Sequence, residues 1–440
     1  MTVEPRVGQL PAPAMRGASA VTGESAGSAP QERARGMVGL LFDRDFGLLT
    51  WGKFFSVTAV WTHSVVAAIA VYVATGSTFA VGLVAVVQFT PQLVFTPMAG
   101  TWADRGNVKA QLLLGRLMSA VATIGIGLVY WLAAPTGWSA AAAVLAASLL
   151  LGLGFVVGGP AMHSVVPELV TREELPAAMA LNSAPVTIAR FLGPMVGALL
   201  VSEVSVTAGF LMASTGHLVF LAALAAIRIP ARVVRTEEVD FSVAAGVRYV
   251  LGDRTVRLLL CAVAAVGFAS EPTLTLAPAL ADALGGGTTM VGVLTSGFGI
   301  GAILGLIGLG TLTARVAPER FTMLGLALVT CGALLAALLP WAVAVMVGFA
   351  FVGAGFTVVS TAVATAIQLH TPDYLRGRVM ALWMVGFVGA RPVAAVVVGL
   401  VTDLSTVHLA VLVTGLPTLV ALIACWRGRL WGRRARVRTD

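Results

Sequence analysis

Charge is scarce in this sequence. Of its 440 residues, 11% are Asp, Glu, Lys or Arg, against roughly 25% in soluble domains, so a soluble globular protein is excluded. Lysine occurs only at 53 and 109, and neither stands in a Gly-Lys-Ser/Thr context. A phosphate-cradling Walker A loop is therefore absent, and with it direct ATP drive within the chain. Cysteine occurs three times, at 261, 331 and 425, always inside apolar runs and never in a paired spacing. These read as small core residues and not as a disulfide frame or a metal site. No nucleophile–base pair or cluster of metal-ligating side chains stands out, so neither an enzyme nor a cofactor is expected. A cleavable signal peptide is not visible either, because the first apolar run begins near Gly47 behind a long tail.

Hydrophobic residues make up 58% of the chain, and its mean hydropathy is +0.94. A bilayer-spanning helix takes about 20 apolar residues, so the chain has enough for about twelve spans and little else. We place them at 47–74, 79–99, 110–133, 139–162, 176–201, 206–227, 257–281, 289–310, 320–339, 341–366, 377–402 and 407–426. Nearly all 28 Lys and Arg fall in the tails and on one alternate set of links, and the opposite links hold none. The positive-inside rule then places both termini in the cytoplasm of a multi-pass protein in the cell membrane. The net charge of +8 has the same explanation and calls for no nucleic-acid partner.

An internal repeat is visible. Gly82 and Gly292, Gly100 and Gly310, and Arg105 and Arg315 share an offset of 210 residues, while Arg190 and Arg391 share one of 201 with the neighbouring Ala-Leu pairs at 180 and 381. The expected fold is an all-α membrane protein with two six-helix pseudo-symmetric halves in parallel orientation. Residues 1–46 form a disordered cytoplasmic tail rich in Pro, Gly, Ala, Ser and Arg. The halves are 47–227 and 257–426, joined by a cytoplasmic linker at 228–256, and 427–440 is a basic tail. Val243, Val247, Val250 and Leu251 put an amphipathic helix on that linker.

Residues 100–109, Gly-Thr-Trp-Ala-Asp-Arg-Gly-Asn-Val-Lys, form the charged link after the second span. Two six-helix repeats with such a link resemble the major facilitator superfamily, whose signature there is Gly-x-Leu-Ala-Asp-Arg-x-Gly-Arg-Lys. Gly100, Ala103, Asp104, Arg105 and Lys109 match it, while the second repeat has Ala314 where the acid would stand. The stretches 166–175, 180–182, 190–194 and 368–380 resemble the enterobactin-exporter and macrolide-efflux branch. The resemblance implies an exporter of a small molecule by alternating access and proton antiport. It also implies that Asp104 latches the cytoplasmic side against the start of the eleventh span, which carries Arg376 and Arg378. An ordinary solvated turn is the alternative for the link. Gly193-Pro194-x-x-Gly197 resembles the antiporter signature of the fifth span; close helix packing explains the same residues.

Buried ionisable residues supply the remaining candidates. Arg190 and Arg391 lie near the middle of spans five and eleven, where an arginine costs about 2.5–3.5 kcal/mol on insertion scales unless it meets a partner or a watery cavity. They are either substrate contacts or a structural ion pair. Glu271, followed by Pro272, sits in span seven, which lines the cavity in the superfamily. It is the candidate proton carrier, or else a partner for one of the arginines. Gln88 and Gln92 form a polar face of span two, and His63 lies in the middle of span one; all three are cavity candidates. His217 reads as a packed structural histidine. Lys53 and Arg116 lie close enough to the cytoplasmic face to snorkel. The expected partners are a small-molecule substrate, protons and lipid, with the chain acting as a monomer. The rival reading is a sensor or membrane enzyme on the same scaffold.

Overall fold

The computed structural model describes residues 35–105, 107–229, 243–312 and 317–428, and the side chains at 99–105 lie outside that description. A short α1 (Met37–Leu41) leads into α2 (Arg44–Thr75), whose first free amides, at Asp45 and Phe46, donate to Asp43. Gly76 ends α2 in the left-handed region at φ 64°. Next come α3 (Thr78–Arg105), α4 (Val108–Ala133) and α5 (Gly137–Val165), with Asn107 capping α4. A 3₁₀ turn leads to α6 (Leu175–Glu203), followed by α7 (Val206–Ala226), capped by Ser205.

The linker helix α8 (Val243–Gly252) docks on the second half, where the Tyr249 hydroxyl donates to the His370 carbonyl at 3.0 Å. Asp253 caps α9 (Arg254–Ser270). Two short pieces, α10 (Pro272–Thr275) and α11 (Ala277–Ala283), complete the seventh span. The chain ends with α12 (Gly287–Leu312), α13 (Pro318–Leu338), α14 (Ala342–His370), α15 (Asp373–Leu404) and α16 (Val407–Arg427). Among the described residues, twelve helices are long and apolar enough to cross a membrane. Val121, Leu128, Val219, Leu304 and Val420 point outward and exposed, as lipid contact demands.

Each half packs on itself through the same pairs. α2 lies against α6 and α7, and α4 against α5 and α7; in the second half α13 and α14 pair closely, and α9 lies on α15 and α16. The halves meet mainly through α3 with α15 and α6 with α12, and α2 adds smaller contacts with α10, α11 and α12. The repeat explains these contacts. A Cβ at Gly82 would lie 2.5 Å from the Ala395 carbonyl of α15, and one at Gly292 would lie 2.7 Å from the Ala198 Cβ of α6. The paired glycines therefore let pseudo-equivalent helices approach across the midline.

Three elements differ from the sequence expectation. A disordered tail was expected over 1–46, but α1 and the start of α2 lie within it, and Leu40 and Phe46 are fully buried because their apolar side chains pack on the first half; residues 1–34 lie outside the described residues. The second span continues as helix through Arg105, where a surface link from residue 100 was expected. Apolarity ends there but helicity does not: the helix runs on past Pro91, Pro97 and Gly100 and ends at Arg105, ahead of the turn-forming Gly106-Asn107 of the sequence. The seventh span, expected as one helix over 257–281, is interrupted at Glu271-Pro272 and again at Leu276. Pro272 has no amide hydrogen to continue α9.

Candidate substrate cavity and buried ion pair

The break in the seventh span places Glu271 at the centre of the molecule. Its carboxylate is 1% exposed and accepts from Arg391 Nε of α15 at 2.9 Å and from the Thr275 hydroxyl at 3.1 Å. Arg391 also lies over the Phe89 ring at 4.1 Å. Arg190 of α6 faces the same small void, about 20 Å³ and enough for about one water. Its guanidinium stacks at 4.3 Å from the Phe356 ring and 4.7 Å from that of Trp61, and its Nε has no hydrogen-bond partner among the described residues. The structure thus separates two residues that the repeat makes equivalent. Arg391 holds the carboxylate, and Arg190 sits in an aromatic cage.

Trp61 and Arg391 also form part of the wall of a larger cavity of about 270 Å³. Apart from Arg391 its walls come from the first half, toward the ends of α2, α4 and α5 nearest the chain termini. Gln88 and Gln92 both line it, and Gln88 makes a long 3.5 Å contact with Ser64. Leu112, Phe155, Val186 and Phe220 give it apolar sides. His63 is not brought to either space. It is fully buried inside the first half, 3.2 Å from the Ser148 hydroxyl and tilted against Phe210.

Lys53 and Arg116 do not snorkel. Both line the larger cavity, and Arg116 is 6% exposed. A position one turn inside an apolar helix reads alike whether the side chain turns toward water or into a cavity, so sequence alone did not single these two out. Trp61 and Phe89 were missed for a related reason: their ring contacts with the arginines are interhelical and leave no local pattern.

The remaining candidates are structural in position or lie outside the described side chains. Gly193 and Gly197 press α6 against α2: a Cβ at Gly193 would lie 2.5 Å from the Trp61 Cβ, and the Thr62 hydroxyl donates to the Gly193 carbonyl at 3.1 Å. Pro194 lies in α6 and contributes to the wall of the small void. Lys109 caps the end of α7 by donating to the carbonyls of Ala225 and Ile227 at 2.9 and 2.7 Å. Arg376 and Arg378 stand at the start of α15. The side chains of Asp104 and Arg105, and that end of the expected latch, lie outside the described residues, as does Gly100 apart from its place in α3.

At the face opposite the chain termini the halves are joined. Asp403, near the end of α15, accepts from the Ser77 hydroxyl at 2.6 Å and from the Thr78 and Phe79 amides at 2.8 and 3.2 Å, so it satisfies free N–H groups at the start of α3 across the interface. Tyr72 donates to Asp282 across the same face at 3.3 Å.

Residues 41–436 match the family described as transmembrane secretion effector. Over 356 residues the chain is 28% identical to the enterobactin exporter EntS of Escherichia coli O127:H6 (strain E2348/69 / EPEC), a match covering 79% of this chain and 82% of that one. The corresponding exporter of Shigella flexneri matches with the same figures. Among solved structures, a bacterial homologue of the human lysosomal transporter Spinster, inward-facing and unoccupied, superposes with a TM-score of 0.71 at 15% identity, covering 89% of this chain and 98% of that one. A bacterial homologue of the iron transporter ferroportin, in its inward-facing state, superposes with a TM-score of 0.68 at 14% identity, covering 88% and 98%. These structural likenesses carry the fold. The chain is a multi-pass membrane transporter, and it belongs to the transmembrane secretion effector family of the major facilitator superfamily.

Proposed function

We propose that the protein exports a small molecule by proton antiport with alternating access, with Glu271 as the proton carrier. The observation that carries this reading is the buried Glu271–Arg391 pair, because Arg391 belongs at once to the pair and to the cavity wall. Protonation of Glu271 removes the charge that holds Arg391. The released guanidinium then turns into the cavity it lines and takes up the volume that the body of a bound molecule fills. A molecule filling the cavity keeps Arg391 on Glu271 and favours loss of the proton. Proton and cargo are thereby alternatives, which is the requirement for antiport.

The bonds from Asp403 and Tyr72 close the face opposite the termini. With the termini cytoplasmic, that is the inward-open form, and the Asp104 latch at Arg376 and Arg378 closes the other face during turnover. The cargo class follows the relatives' name, exporters of a siderophore, and the excess of cations over carboxylates at the cavity: an aromatic or carbonyl-rich anion. The test is a sensitivity and efflux screen over siderophores, macrolides and cationic drugs in a strain lacking the gene. Complementation should restore export of an anionic or carbonyl-rich compound, and the Asp104→Asn variant should leave the cytoplasmic cavity open for longer. Export of cationic drugs alone would overturn the cargo class. An unchanged accessibility and turnover in Asp104→Asn would remove the latch.

A further inference from the structure

The larger cavity has two cationic side chains, Arg116 and Lys53, at the end away from the Glu271 pair. Arg116 Nη1 donates to the Ser56 hydroxyl at 2.8 Å, and its Nε has no hydrogen-bond partner among the described residues. Phe155 and Phe220 flank the guanidinium at 5.2 and 5.6 Å. Ser56 in turn lies 3.0 Å from His217 Nδ1. Ser56 thus bridges Arg116 and His217, and this serine–histidine brace fixes the guanidinium against the cavity wall. Lys53 Nζ is held at 2.7 Å by both the carbonyl and the side-chain oxygen of Asn182. Among the described residues, no carboxylate lies within 4 Å of either cation. Every fixed partner is a neutral oxygen or a ring face.

A desolvated guanidinium with an idle donor, rigidly braced and facing a cavity, lacks its counter-charge. We infer that Arg116 and Lys53 form an anion-recognition subsite, which takes the carboxylate, phenolate or phosphate end of a molecule whose aromatic or apolar body lies between Phe155, Phe220 and Leu112. The inference rests on the reading of this cavity as the cargo site, and it gives the cargo a polarity. The anionic end sits at Arg116 and the body reaches toward Trp61 and Arg391. This placement leaves Arg391 free to answer to Glu271 alone. An anionic lipid headgroup has the same chemistry as a free anion, so both sources enter the test.

The test is equilibrium binding to the full chain in nanodiscs, read by Trp fluorescence, with 1-naphthoate and its neutral isostere 1-naphthamide as probes. A charge-assisted contact in a dry site corresponds to a preference of about tenfold or more. The wild type should bind naphthoate at least that much more tightly than naphthamide. Arg116→Gln keeps a donor for Ser56 and should bring the two probes to within about threefold, while Arg116→Lys should retain an intermediate preference. Size-exclusion behaviour matching the wild type keeps misfolding out of the comparison. Loss of naphthoate binding on replacing phosphatidylcholine by phosphatidylglycerol assigns the subsite to a lipid headgroup; binding indifferent to the lipid assigns it to a soluble anion. Equal affinity for the two probes in the wild type, or an undiminished preference in Arg116→Gln, overturns the inference. If transport is present while the preference is absent, the subsite fails and the exporter reading stands. If the preference is present without transport of any compound, the reverse holds.

Discussion

Glu271 and Arg391 show what a buried charge means inside a bilayer. Each would be costly alone, and together they satisfy one another at 2.9 Å with Thr275 completing the carboxylate. Removing one partner therefore hurts more than removing both: Arg391→Met should cost about 3–5 kcal/mol by leaving the carboxylate stranded, and Glu271→Gln combined with Arg391→Met should recover most of that. Thermal unfolding in detergent micelles measures the cycle, and additive losses would show that the pair is not coupled. A second carboxylate acts outside the membrane. Glu174 accepts from the Arg35 guanidinium, from the Arg35 amide and from the Thr171 amide, and Arg35 holds its carboxyl well below the usual range. A carboxylate depressed in the fold stabilises it fully above the unfolded value near 4.3, and that contribution is lost as pH falls below it toward the folded value. Melting of the wild type should approach that of Glu174→Gln between pH 7 and about pH 3. A gap that stays constant with pH would remove the assignment.

The helices show which features were readable from sequence and which were not. Spans are set by length and apolarity, so all twelve were expected where they lie. The seventh span was expected as one helix, and its break falls at Pro272, a residue that cannot donate to the helix ladder. Which arginine would hold Glu271 was not legible. The pair is 120 residues apart, and the repeat makes Arg190 and Arg391 look equivalent. Arg116 was misread because lipid, core and cavity all accept the same apolar neighbours. Gly297, Gly301 and Gly305 press along α14: a Cβ at Gly301 would collide with the Ala350 carbonyl, whereas one at Gly308 meets nothing within 4 Å. Gly301→Val should therefore destabilise by about 3 kcal/mol or more and Gly308→Ala by none, read as melting in detergent. Asp403 was unremarkable as a lone acid in a link, yet it caps a helix of the other half. Asp403→Ala should remove about 0.5–2 kcal/mol from the closed opposite face, shifting its population about 2- to 30-fold. Spin labels at Trp138→Cys and Trp341→Cys, at the starts of α5 and α14, would report the widening; an unchanged distance distribution contradicts the capping role.

At the scale of the molecule, two similar halves meet along α3–α15 and α6–α12, with little fixed charge between them except at the rim and the centre. Helices that touch through glycine and alanine suit the proposed rocking of the halves, because no polar bond in the apolar layer along these two seams would have to break. In the proposed antiport the central pair would supply the coupling, because Arg391 belongs both to the pair and to the cavity wall. Reconstituted proteoliposomes with an imposed pH gradient and a pH-sensitive dye inside test this most directly. On addition of an exported compound, the wild type should release the gradient in proportion to cargo moved, and Glu271→Gln should abolish that proton flux. Proton movement that continues unchanged in Glu271→Gln would contradict the account.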